Sequence, residues 1–159
     1  MAKPHKTISV SSRKSKGRRL QNQVAEDIRK AVQLESVTDI KTALMGETGA
    51  DIKLSKLGKR RWPFWVECKN QESLSIHAVL SKLGEDVANA NSKLPTKEHF
   101  RSGLLVFKRN HSETYAVLPW SKFVRLWKRY LVCSRELQDK RVEDCPSCLR
   151  DKISGKSTG

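Results

Sequence analysis

Apolar residues return every three or four positions between residues 17 and 34, where Leu20, Val24, Ile28 and then Ala31 or Val32 draw one stripe down a polar and basic stretch. That period predicts an amphipathic helix. The segment VTDIKTALM reads as a short strand, and GETGADIKLS sets Ile52 and Leu54 in alternation with Asp51, Lys53 and Ser55 after two glycines. A turn through KLGKR leads into a further strand, Trp62 to Lys69, with Phe64, Val66 and Cys68 on one face and Trp65, Glu67 and Lys69 on the other. These two strands are expected to form a hairpin.

From Leu74 to Asn91, the residues Ile76, Val79, Leu80, Leu83, Val87 and Ala90 fall in helical register, interrupted only by Gly84. SGLLVFKRN and ETYAVLPW then read as two strands around a polar turn at Asn110, His111 and Ser112, and the continuous run Leu104 to Phe107 suggests burial on both faces. Trp120, Phe123 or Val124, Trp127 and Tyr130 or Leu131 mark a last helix, after which the chain turns polar. There is no internal repeat. The order predicts an α/β fold, a central mixed β-sheet flanked by helices in the sequence α-β-β-β-α-β.

Charge narrows the class of partner. The 159 residues hold 32 Lys and Arg against 17 Asp and Glu, a formal charge of +15, and a partner of dense negative charge would relieve that repulsion. Nucleic acid is the first candidate. No apolar run reaches the roughly 18 to 20 residues of a membrane span, so no membrane partner is expected. Residues 1–25 contain seven Lys or Arg and no acid. The chain is accordingly divided into a disordered basic arm (1–15), one domain (16–132) and a polar C-terminal tail (133–159), and a cytoplasmic setting with reduced thiols is expected. CPSC, with Cys145 and Cys148, is half a zinc ribbon without its second pair, so zinc is not expected there.

An acid-x-Lys pattern occurs three times, at Asp39-Ile-Lys41, Asp51-Ile-Lys53 and Glu67-Cys-Lys69. Only the third ends a hydrophobic strand whose expected partner begins with another carboxylate. A hairpin centred on Lys59 sets Asp51 opposite Glu67, and two facing carboxylates repel unless a proton or cation lies between them. Two carboxylates with water and a substrate phosphate are how Mg²⁺ is usually held. Lys69 would orient or help deprotonate the attacking water, and phosphodiester hydrolysis follows as the chemistry. The plainer alternative is an ion pair in which Lys69 neutralises Asp51 and Glu67.

The ordered set KGRRLQNQ, GADIKLS and PFWVECKN, followed by a helix, resembles the PD-(D/E)xK nuclease superfamily, most closely archaeal and phage Holliday-junction resolvases and related phage endonucleases. The likeness covers roughly residues 16–120 and implies a restriction-endonuclease-like core. It further implies that Asp51 and Glu67 bind Mg²⁺ or Mn²⁺, that the backbone carbonyl of Cys68 completes the protein ligands, and that Lys69 is the catalytic lysine. Gln71 would approach the site or the phosphate. Ala50 stands where the superfamily's name has proline, and Gln21 stands where resolvases place a glutamate, with Glu26 the other carboxylate on that helix.

Basic residues bordering such a site would follow DNA phosphates: Arg13, Lys14, Lys16, Arg18 and Arg19 on the first helix, Lys56, Lys59, Arg60 and Arg61 in the turn, and Lys108 and Arg109. Trp62 and Trp65 would stack on bases or, more simply, pack. The expected protein is a Mg²⁺-dependent endonuclease selective for branched DNA such as four-way junctions, acting as a homodimer because a two-fold junction needs two cuts. Restriction-like or nicking action on ordinary duplex and non-cleaving nucleic-acid binding are the alternatives.

Overall fold

The computed structural model describes residues 9–139, with side chains described through Cys133. The first helix, α1, spans Val10–Val32 and buries Leu20, Val24, Ala25, Ile28 and Val32, the stripe its sequence periodicity marks. Ser9 caps it, its Oγ accepting the Ser12 N–H at 3.2 Å, and Gln33 closes it in the left-handed region with φ 54°. The helix starts earlier than the apolar period does. Residues 10–15, expected in the disordered arm, form its first turns; they bury no apolar stripe, so periodicity could not detect them. Residues 1–8 of the arm lie outside the described residues.

Strands β1 (Ile40–Thr42) and β2 (Ile52–Leu54) pair antiparallel, with Ile40 opposite Leu54 and Thr42 opposite Ile52. The hairpin expected around Lys59 is not formed. KLGKR lies instead in a short helix, α2 (Lys56–Arg61), started by Ser55, whose Oγ accepts the Gly58 N–H at 3.0 Å. Glycine is required at position 58, because a Cβ there would lie 2.4 Å from the Asp39 carbonyl oxygen. With a helix where the turn was expected, β2 takes β1 as its ladder partner.

The second sheet is mixed. Strand β3 (Phe64–Asn70) runs parallel to β4 (Ser102–Lys108), and β4 pairs antiparallel with β5 (Thr114–Val117) across the turn where His111 adopts φ 56°. Parallel neighbours need a crossover, and α3 (Ile76–Asn91) lies in it. Leu104, Leu105 and Val106 are buried in succession, as a strand covered on both faces requires. On one face Val66, Cys68, Leu104 and Val106 join the α1 stripe with Ile40 and Ile52. On the other, α3 comes so close that a Cβ on Gly103 would sit 2.4 Å from Leu83. The architecture is thus α/β, a three-stranded mixed sheet and a two-stranded sheet flanked by helices.

The chain divides after Leu118, and the unit from Pro119 contains α4 (Trp120–Asp139). Residues 133–139, expected in the polar tail, continue this helix. Cys145 and Cys148 lie outside the described residues. Among the described residues, no helix is long and apolar enough to cross a membrane.

Candidate active site

Asp51 immediately precedes β2 and is held by its backbone from two sides. Its carbonyl accepts the Ala43 N–H at 2.8 Å, and its N–H donates to the Val66 carbonyl at 3.0 Å. The carboxylate is equally engaged: Oδ2 accepts the Cys68 N–H and Oδ1 accepts Gln21 Nε2, both at 2.7 Å. The bonds to residues 66 and 68 bracket Glu67 on β3, so Asp51 stands beside Glu67 at a strand edge rather than across a hairpin. In an extended strand the N–H and carbonyl of one residue point to the same edge. Cys68 donates its N–H toward Asp51, and its carbonyl therefore faces that edge too.

Gln21 occupies the helix position where a glutamate was the resemblance's expectation. A carboxylate is acceptor-only, so the amide must present its nitrogen to Asp51, which leaves Oε1 as the remaining acceptor. Glu26 does not take over that place. It pairs with Arg29 at 2.5 Å and Lys30 at 3.5 Å, while Arg29 also donates to the Ile40 carbonyl, pinning α1 to β1.

Alternation along β3 sends Cys68 into the core and Glu67 and Lys69 to the opposite face. Lys69 Nζ donates to Glu67 Oε1 at 2.5 Å, and both side chains remain partly open, at 35% and 22% exposure. Burial alone would lower the Lys69 ammonium, but the hydrogen bond and charge of Glu67, followed by the charge of Asp51, outweigh it and hold the lysine above its ordinary value. The Lys69 ammonium therefore keeps its proton at neutral pH and acts as a hydrogen-bond donor. Burial, reinforced by the Asp51 and Glu67 charges, pushes the Cys68 thiol far up, so it stays protonated.

Glu67 and Lys69 open into a cleft of about 330 Å³. The connection from β1 to β2 contributes Thr48 and Gly49, and α3 contributes Val79, Lys82, Leu83 and Asp86. Lys82 and Asp86 escaped the reading of the sequence. Their only signal is spacing: with Val79 and Leu83 they fall at i, i+3, i+4 and i+7 on one helix face.

Among the described residues, no group of three or more His, Cys, Asp or Glu side chains is placed to hold a metal. The candidate donors along this edge of β3 are two carboxylates, Asp51 and Glu67, and the Cys68 carbonyl. All are oxygen, and each Asp51 oxygen that accepts one hydrogen bond retains a further lone pair. Such a set suits a small hard cation completed by water and phosphate, not a soft one.

The basic residues divide. Lys16 Nζ donates to Asn110 Oδ1 at 2.6 Å, and Arg18 Nη1 donates to the Ala43 carbonyl, so both tie α1 to neighbouring loops. Lys59 is the sharpest departure from expectation: its side chain is 13% exposed, paired with Glu98 at 3.1 Å and 5.8 Å from the centre of the Phe100 ring. Lys56 lies 3.8 Å from the same Glu98. Arg13, Lys14, Arg19, Arg60, Arg61, Gln71 and Arg109 are exposed, and Lys108 is half-buried. Both tryptophans of β3 and its approach pack on aromatics, Trp62 edge-on to Phe64 at 5.4 Å and Trp65 edge-on to Phe100 at 5.2 Å.

Comparison with known proteins finds no match, whether to a family model, to a curated protein or to a solved structure. The functional reading therefore rests on the side chains themselves.

Proposed function

We propose that this chain is a metal-dependent endonuclease of the PD-(D/E)xK type that hydrolyses DNA phosphodiester bonds inside the cell, with branched DNA as the preferred substrate. The observation that carries the reading is the bracketing of Glu67 by the hydrogen bonds of Asp51, with Lys69 on the same strand face at an open cleft. In a chain of formal charge +15, that cleft is accessible to a polyanion.

Asp51, Glu67 and the Cys68 carbonyl would hold Mg²⁺ or Mn²⁺, which supplies Lewis-acid stabilisation of the phosphoryl charge and a more acidic bound water. Gln21 positions Asp51 by donating to Oδ1, fixing the carboxylate without adding a charge. Lys69, protonated and tethered to Glu67, acts as a donor: it orients the attacking water or neutralises the non-bridging oxygen where charge develops. Lys82 extends from the facing helix wall and would meet a neighbouring phosphate.

Cleavage of a labelled four-way junction and a matched linear duplex, each with Mg²⁺ or EDTA, tests the reading. Cutting is expected only with Mg²⁺, on the order of tenfold faster on the junction, and weakening steeply with salt. Binding without Mg²⁺-dependent cutting would overturn the enzyme in favour of a basic binding module. Equal rates on both substrates would remove the junction preference alone.

A homodimer is part of the same proposal, and α4 supports it. Trp120, Phe123, Trp127 and Tyr130 are spaced 3-4-3, the interval of a coiled-coil seam, and remain 75%, 43%, 52% and 60% exposed. Their rings stack in succession, with centroids 5.5, 6.5 and 5.3 Å apart. Trp127→Glu is expected to weaken self-association at least tenfold in sedimentation equilibrium, since a charge would enter the centre of an aromatic seam. An unchanged dimer would assign the interface elsewhere.

A further inference from the structure

The connection between β1 and β2, which supplies Thr48 and Gly49 to the cleft wall, projects two large apolar side chains into water. Leu44 is 71% exposed and Met45 89%, the latter the most exposed large hydrophobic residue of the described chain. Their backbone is not loose. The Glu47 N–H donates to the Leu44 carbonyl at 3.0 Å, closing a four-residue turn with Met45 and Gly46 at its centre. Gly46 has φ 82° whereas Met45 does not have a positive φ, which makes this a type II turn with glycine where the turn demands it.

Side chains lock the same turn a second time. The Leu44 N–H donates to Glu47 Oε2 at 2.8 Å, Glu47 Oε1 pairs with Lys53 at 3.2 Å, and Lys53 Nζ also donates to the Thr48 carbonyl at 2.6 Å. Arg18 holds the Ala43 carbonyl from α1. The outcome is a rigid apolar tip, braced on both sides by cations, a few residues from Thr48 and Gly49 at the wall of the cleft.

We propose that Leu44 and Met45 form a wedge that enters the base stack next to the phosphate held in the cleft, and that this wedge sets the preference for branched DNA. This rests on the nuclease reading of the cleft. Leucine and methionine are among the side chains that proteins insert between base steps, and a preorganised turn loses little conformational freedom on insertion. Unstacking is least unfavourable where bases are already poorly stacked, so a branch point admits the wedge more readily than an intact duplex does. Selection by shape then needs no contact with base edges. Around the turn Arg18, Lys41 and Lys53 outnumber Glu47, and that net positive charge favours a polyanion over an apolar protein groove as the occupant.

The test uses the full chain and a four-way junction carrying 2-aminopurine at the branch point, in EDTA so that nothing is cut. Wild-type protein is expected to raise the fluorescence several-fold through unstacking, and Leu44→Ser/Met45→Ser to abolish that rise. In Mg²⁺ the same variant is expected to lose most of the junction-over-duplex ratio, on the order of tenfold, with duplex cutting nearly unchanged. Because both residues are exposed, circular dichroism and the melting temperature should match wild type. A variant that keeps both the fluorescence rise and the ratio would overturn the wedge while leaving the nuclease intact. Fluorescence that rises in a wild type unable to cut any substrate would instead retain the wedge and refute hydrolysis.

Discussion

Asp51→Asn is expected to lower single-turnover cleavage on the order of 10³-fold while the chain remains folded. The substituted side chain has the same shape but no charge, so it is a poor ligand for a hard divalent cation. Its fold can survive because the hydrogen-bond set can be rebuilt. The new amide oxygen would accept the Cys68 N–H, and Gln21 would turn its own amide over so that Oε1 accepts from the new amide nitrogen. Asp51→Ala has no such remedy: it leaves the Cys68 N–H and Gln21 Nε2 without their acceptor, a loss of about 1–3 kcal/mol for each group that water cannot reach. Comparing the two variants by cleavage rate and thermal melting separates chemistry from folding. If Asp51→Asn cuts at the wild-type rate, the carboxylate is structural and the proposed site is wrong.

Leu105→Ala is expected to give the largest loss of stability, about 2–5 kcal/mol in urea unfolding, which is a large part of what a domain of this size has. Leu105 has 0% exposure and lies in the central strand of the mixed sheet, directly paired with Glu67 in the β3–β4 register. Its neighbour Gly103 is already in contact range of Leu83 on α3, so that packed layer has little freedom to collapse into a void. The expected consequence reaches the site, since loosening β4 against β3 loosens the strand that carries Glu67 and Lys69. Met45→Ala, at an exposed tip, is the natural contrast and should change stability by less than about 0.5 kcal/mol. A loss at Leu105 no larger than that would show that the core lies elsewhere.

Legibility in the sequence followed burial. The α1 stripe, the alternation along β3, the register of α3 and the doubly buried run of β4 were all readable, because each element buries a periodic or continuous apolar surface. α2 was not readable: six residues without an apolar face look like a turn, whereas the Ser55 cap starts a helix there and Gly58 lets it pack against the Asp39 carbonyl. The early start of α1 was hidden for the same reason. That Asp51 lies near Glu67 and Lys69 was anticipated through a hairpin that is not formed; what places Asp51 there is its pair of bonds to Val66 and Cys68 on either side of Glu67. Lys82 and Asp86 were not legible, because a charged helix face ordinarily means solvent.

The amino-acid order by itself determined most of the elements and the faces they bury, and it marked the carboxylates and lysine on which the proposed site rests, since these depend on local spacing and residue type. Tertiary structure alone decided the partners. β2 pairs with β1 and not β3, Gln21 reaches Asp51 where a glutamate was looked for, Lys59 turns to Glu98 instead of outward, and Leu44 and Met45 are left in water. Each of these is a contact, or the lack of one, between groups distant in the chain or held by a particular turn. Such contacts depend on how faces meet in three dimensions, which no local pattern encodes.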